Sequence, residues 1–173
     1  MTETVSTPNA GRSWLAQLLS GRPHQVIANA GQPYLLRHFL IKPNRFCNIY
    51  FHRFIGSDDP TPHDHPWSFV SICLRGSYLE LDNIGRARRR TAGSVVFRPS
   101  TWRRSVQLER TTNERGVAEK PCSTVIITGP HRRTWGFWCA GERFVPWQQF
   151  GPGGCGEPTA PPATTIPARL NGA

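Results

Sequence analysis

Apolar positions along this chain recur mostly in short alternating runs rather than at sustained helical spacing. One exception comes early. Trp14, Leu15, Leu18 and Leu19 fall at helical intervals behind Ser13, a suitable N-cap, and ahead of Gly21, a suitable stop, so a short helix is predicted there. From Gln25 the pattern changes. VIA, the turn-like NAGQP and YLLRHFLI predict a hairpin, Lys42-Pro43-Asn44 breaks it, and CNIYFHRFIG predicts a third strand closed by the turn cluster GSDDPTP. HPWSFVSICLRGSYLELD holds two strand-like runs that meet near Arg75-Gly76, and SVVFR and STVIITGP are further strands.

The remaining stretches carry weaker patterns. ERTTNERGVAEKP, residues 109–121, mixes both charges without a period and predicts an exposed loop, and the basic cluster Arg86, Arg88, Arg89 and Arg90 is expected on a turn. RRTWGFWCAGERFVPWQQF is expected to add one strand and a packed, irregular end. Three segments follow: residues 1–22, a lead-in that is disordered over 1–11 and then forms the short helix; residues 23–150, one domain of about seven or eight strands; and residues 151–173, a Gly/Pro/Ala/Thr-rich disordered tail. The fold class is all-β, a small antiparallel barrel or sandwich.

Composition narrows the function. A chain of 173 residues with 38% hydrophobic positions suits one compact domain, and no run of about 18 apolar residues is present to span a bilayer. The formal net charge is +10, and all basic residues except Lys42 and Lys120 are arginines. Arginine grips carboxylate and phosphate through two parallel N–H groups, so the excess suits either an anion-binding face or a solvated surface. Contact with nucleic acid through Arg86 to Arg90 is the weaker option, because no nucleic-acid module surrounds the cluster. Five cysteines without CxxC spacing signal neither a disulfide framework nor a structural zinc site, which favours a reducing compartment. The first residues lack a basic stretch followed by an apolar one, so a cytoplasmic location is expected. GxSxG, P-loop and GxGxxG patterns are absent, leaving a hydrolase triad or a nucleotide loop without support.

The richest segment is Pro62-His63-Asp64-His65-Pro66-Trp67. On extended backbone His63 and His65 project to one face and Asp64 to the other, and two imidazoles so placed can ligate a first-row divalent metal. Phe69, Ser71 and Cys73 share their parity, and Cys73 reads as packing rather than as a nucleophile.

His63-x-His65, a strand to Gly76, and then Gly93 and Pro99 in SVVFRP resemble the two linked motifs of the cupin superfamily, over about residues 45–130. The resemblance implies a double-stranded β-helix, or jelly-roll barrel. It also implies a divalent ion (Fe, Mn, Ni or Zn) at His63 and His65, and oxygenase or isomerase chemistry on a small anionic substrate at the barrel mouth. The family's glutamate ligand falls at Phe69 and its third histidine at Arg104, so only two of the four ligands are kept. His52, Glu80 and Asp64 are the candidates to complete the coordination, Asp64 last because its parity turns it away, and His52 on a neighbouring strand gives a three-histidine site. Arg104 is expected to receive the anion, with Trp67, Trp102 and Glu80 beside it, although a one-residue slip would turn Arg103 inward instead and a buried Arg104–Glu80 pair is the purely structural option. The alternatives are a non-catalytic binding module that has shed its metal, or an arginine-rich protein associated with nucleic acid. The resemblance also implies a homodimer paired through its sheets.

Overall fold

The computed structural model describes residues 3–7, 11, 13–29, 31–113, 116–150 and 154–155. Most of the expected tail therefore lies outside the described residues. The helix forms as its spacing requires: α1 (Trp14–Leu19) starts at Ser13, whose Oγ accepts from Ala16 N at 3.3 Å, and ends before Gly21 at φ +69°. Among the described residues no helix is long and apolar enough to cross a membrane.

The alternating runs become strands. β2 (Gln25–Asn29) and β3 (Gln32–Phe39) form the expected hairpin, followed by β4 (Asn48–Phe54), β5 (Phe69–Arg75), β6 (Ser77–Asp82), β8 (Val95–Arg98) and β12 (Cys122–Thr128). Gly76 joins β5 to β6 at φ +79°, where a Cβ would meet the Pro121 carbonyl oxygen at 2.7 Å, so the turn admits no side chain.

Among the described residues, 23–150 hold thirteen strands where seven or eight were expected, and the structure differs from the sequence pattern at these points. Residues 3–6, expected to be disordered, form β1 (Glu3–Ser6) along β2. Arg88, Arg89 and Arg90 lie not on a turn but on β7 (Ala87–Thr91), an exposed strand held by its ladder with β6, while Arg86 stays in the turn before it. The supposed loop at 109–121 is a hairpin of β10 (Arg110–Asn113) and β11 (Gly116–Glu119), too polar and exposed to show a period. The aromatic segment supplies two strands, β13 (Gly136–Cys139) and β14 (Arg143–Pro146), rather than one. β9 (Arg104–Leu108) completes the set.

Two sheets face each other. One runs β1-β2-β3-β4-β12-β5-β8 and the other begins β7-β6-β9. His63 then bridges Arg104 of β9 to Phe137 of β13, so the His63 segment extends the second sheet toward β14. Side chains alternate across the sheets: Thr124, Ile126 and Thr128 are buried while the intervening Val125 and Ile127 point outward. The core combines Ile27, Leu35, Phe54, Cys73 and Cys122 from the first sheet with Tyr78, Val106 and Leu108 from the second. A smaller cluster of Phe137, Cys139 and Phe150 closes one end, stapled by a Cys139–Cys155 disulfide. That bond corrects the all-thiol expectation: a separation of 16 residues obscured the pairing in the sequence.

Candidate ligand-binding site

Between the sheets lies a cavity of about 260 Å³. The HxH segment forms one wall. His63 exchanges two backbone hydrogen bonds with Arg104, both 3.0 Å, which sets it edge to edge with β9. Asp64, fully buried on the opposite side, is the pin. Its Oδ1 accepts from Gly136 N at 3.0 Å, and its Oδ2 accepts from Trp138 Nε1 at 3.0 Å and Arg133 Nη1 at 2.8 Å. The alternation read from the sequence therefore holds, with His63 and His65 both lining the cavity, their ring centres 5.3 Å apart, and Asp64 turned away.

Strand register builds the opposite wall. Gln25, Arg37 and His52 are cross-strand partners on β2, β3 and β4, so all three side chains enter from one row. Arg37 donates through Nε to His52 Nε2 at 2.9 Å and through Nη1 to Gln25 Oε1 at 3.1 Å. The His52 ring also stacks on Tyr50, 6° from parallel.

This geometry corrects the three-histidine metal set. The Nε2 lone pair of His52 is taken by Arg37, and among the described residues no three His, Cys, Asp or Glu side chains converge as metal ligands. The charge is unfavourable as well, since Arg37 and Arg104 line the same cavity as the histidines. The donor set does not fit the ion that the cupin resemblance implies.

Arg104 is the centre of the site. It is 5% exposed, its guanidinium lies 4.9 Å from the centre of the Phe69 ring, and its Nε has no hydrogen-bond partner. Arg103, the other register option, points away, pairing with Glu142 and stacking on Trp138. Glu80 does not line the cavity. It sits behind it, 1% exposed, with Oε1 accepting from Arg98 Nε at 2.8 Å and from Nη2, and with Arg90 and Arg104 each 3.6 Å from Oε2. Three guanidiniums thus share one carboxylate, and the cluster stays positive. Trp67 lines the cavity; Trp102 does not, lying under the Arg98 guanidinium at 4.8 Å.

The titratable groups are tuned by burial. Desolvation, and then the neighbouring Arg37 and Arg104, hold His52 well below the usual histidine range. His65 is held down in the same way, by burial first and then by His63 and the arginines, so both imidazoles are neutral at pH 7. Asp58, 3.4 Å from His63 Nε2, moves the other way: burial raises it to about 7 although Arg104 pulls against the rise.

Asp58 and Arg37 are cavity residues that the sequence pattern did not single out; Trp135 and Trp147 line the cavity too. Arg37 shares parity with Leu35 on β3, which was the available signal for it. Asp58 was hidden inside a turn-like cluster, and its position depends on its N–H donating to the Val106 carbonyl across the fold at 2.9 Å.

Fold and site together define a small β-barrel with a positively charged, aromatic-walled pocket between its sheets. No protein-family model and no curated protein matches the sequence. Among solved structures, the polyketide cyclase RemF from Streptomyces resistomycificus is similar, with TM-score 0.50 and 14% identity over 63% of this chain and 75% of that one. A cupin 2 conserved barrel domain protein from Rhodopseudomonas palustris gives 0.49 and 17% over 66% and 75%. A conserved Klebsiella pneumoniae protein with a double-stranded β-helix domain gives 0.47 and 12% over 65% and 89%. These likenesses show the fold alone, an all-β, double-stranded β-helix architecture.

Proposed function

We propose that this chain binds a small anionic molecule in its barrel cavity, with Arg104 as the principal anchor and Arg37 beside it. One observation carries the reading. Arg104 is 5% exposed, lines the cavity and leaves Nε without a hydrogen-bond partner, while its nearest carboxylate, Glu80, is shared with Arg90 and Arg98. A buried guanidinium in that condition costs several kcal/mol until an anion completes its donors. The neutral histidines add donors or acceptors without adding charge, and the aromatic walls cover an apolar body.

A second reading, isomerisation by proton transfer, is favoured by the Asp58–His63 pair. A carboxyl raised to about 7 and an imidazole nitrogen 3.4 Å away can pass a proton at neutral pH without a metal. The arginines of β7 give less support to a nucleic-acid role, since Arg89 pairs with Glu109 and Arg90 with Glu80.

A thermal-shift screen of carboxylates, phosphates and their neutral amides or alcohols tests the binding reading. Anions are expected to raise Tm and the neutral analogues to leave it unchanged. Equal shifts from acid and amide would overturn it.

A further inference from the structure

One group of rings in the wall is aligned, while Phe69 stands at 58° to His65 and His63 at 60° to Trp135. Trp135 lies 9° from parallel with Trp147, at 5.7 Å between ring centres, and 12° from parallel with His65, at 6.5 Å. His65 in turn lies 27° from Trp67, at 5.3 Å. Three separate stretches of chain thus present rings in nearly one orientation to one cavity. A pocket built only to bury aliphatic surface has no need of that alignment. A planar π-system lying parallel to the rings gains stacking that a puckered ring cannot.

Backbone geometry holds the alignment. Gly136, next to Trp135, lies so close to β14 that a Cβ would sit 2.2 Å from the Val145 carbonyl oxygen, and its N–H is anchored on Asp64. The orientation of Trp135 is therefore tied to the same pin that sets the histidines.

The anionic end is equally restrictive. Arg37 already gives Nε to His52 and Nη1 to Gln25, and Arg104 shares its charge with Glu80 at 3.6 Å. With Arg37 partly engaged and Arg104 sharing its charge, one guanidinium is left to supply two parallel N–H groups, which completes a carboxylate and leaves the further oxygens and charge of a phosphate dianion without donors. A volume of about 260 Å³ equals that of about nine waters at ~30 Å³ each, enough for one or two fused rings.

We infer that the ligand is a planar aromatic carboxylate of one or two rings, its ring parallel to Trp135 and His65 and its carboxylate on Arg104. This rests on the anion-binding reading above and adds the substrate class.

Calorimetric titration of the full chain with naphthalene carboxylate, decalin carboxylate and naphthamide separates the two claims. The planar acid is expected to bind at least about tenfold more tightly than either analogue, in line with a stacking or charge contribution near 1.4 kcal/mol. Trp135→Leu should erase the preference for the planar over the saturated acid and keep the preference for acid over amide. Trp147→Leu, whose side chain is partly exposed, serves the same purpose should Trp135→Leu misfold, as judged by circular dichroism. Equal affinity for the two acids with a weaker amide would overturn the aromatic inference and leave anion binding standing. Equal affinity for acid and amide would overturn anion binding itself, and the absence of binding by all three would overturn the inference.

Discussion

Replacing Asp64 by Ala removes the acceptor for three donors at once. The consequences differ by donor. Gly136 N–H is buried, so its orphaning costs the full desolvation penalty of about 1–3 kcal/mol. Trp138 Nε1, on a part-buried indole, adds about 1 kcal/mol, and Arg133, with its side chain 30% exposed, rehydrates at little cost. The carboxylate leaves a small cavity at a fully buried position, so the sum is about 3–4 kcal/mol. Asp64→Asn is the sharper variant. Its amide oxygen still serves Gly136, but its NH₂ group meets the N–H groups of Trp138 and Arg133, so about 2 kcal/mol is lost although shape is kept. Urea unfolding followed by far-ultraviolet circular dichroism measures both without relying on the nearby tryptophans. Losses below about 1 kcal/mol in both variants would refute the claim that Asp64 pins the histidine segment to β13.

Other consequences are measurable. Burial raises Asp58 to about 7 from 3.8, so the stability associated with its protonated form is fully present below about 3.8 and is lost as pH rises through 7, up to about 4 kcal/mol; Asp58→Asn should flatten the stability–pH profile across that window, and an unchanged profile would contradict the buried, raised carboxyl. Glu80→Gln leaves Arg90, Arg98 and Arg104 without their shared carboxylate and should cost about 3–5 kcal/mol by urea unfolding, whereas a neutral effect would mean that the three arginines do not depend on it. Thiol titration of the denatured, unreduced protein should find three free cysteines, Cys47, Cys73 and Cys122, and five after reduction; five before reduction would contradict the Cys139–Cys155 bond.

Much of the barrel was legible because its central strands are short runs rich in β-branched and aromatic residues bounded by turn signals. Their burial alternates but not by polarity, since Ser71, Thr124 and Thr128 face inward while Val125 and Ile127 face outward; CSTVIIT on β12 and FVSICLR on β5 carry the β-rich composition. ARRRT on β7 and RTTN on β10 do not. These strands bury almost nothing, and their pairing comes from ladders and turns that a hydrophobic pattern cannot display. At the site, the inward parity of His63 and His65 and the outward parity of Asp64 followed from backbone period alone. The fate of His52 did not. Its metal role was undone by Arg37, fifteen residues earlier, and only strand register brings the two together. Likewise, Glu80 shares parity with buried positions on β6 but acts behind the cavity as the counterion of three arginines, an arrangement that depends on which strands flank β6.

The central claim is that Arg104 holds an anion inside the barrel, and a calorimetric comparison of the native chain with Arg104→Gln, both titrated with naphthalene carboxylate, tests it most directly. A charge-assisted bond of about 2–3 kcal/mol predicts a loss of about thirtyfold to a hundred-and-fiftyfold in affinity with the fold intact. An Arg104→Gln chain that folds and binds the acid as tightly as the native chain would contradict it.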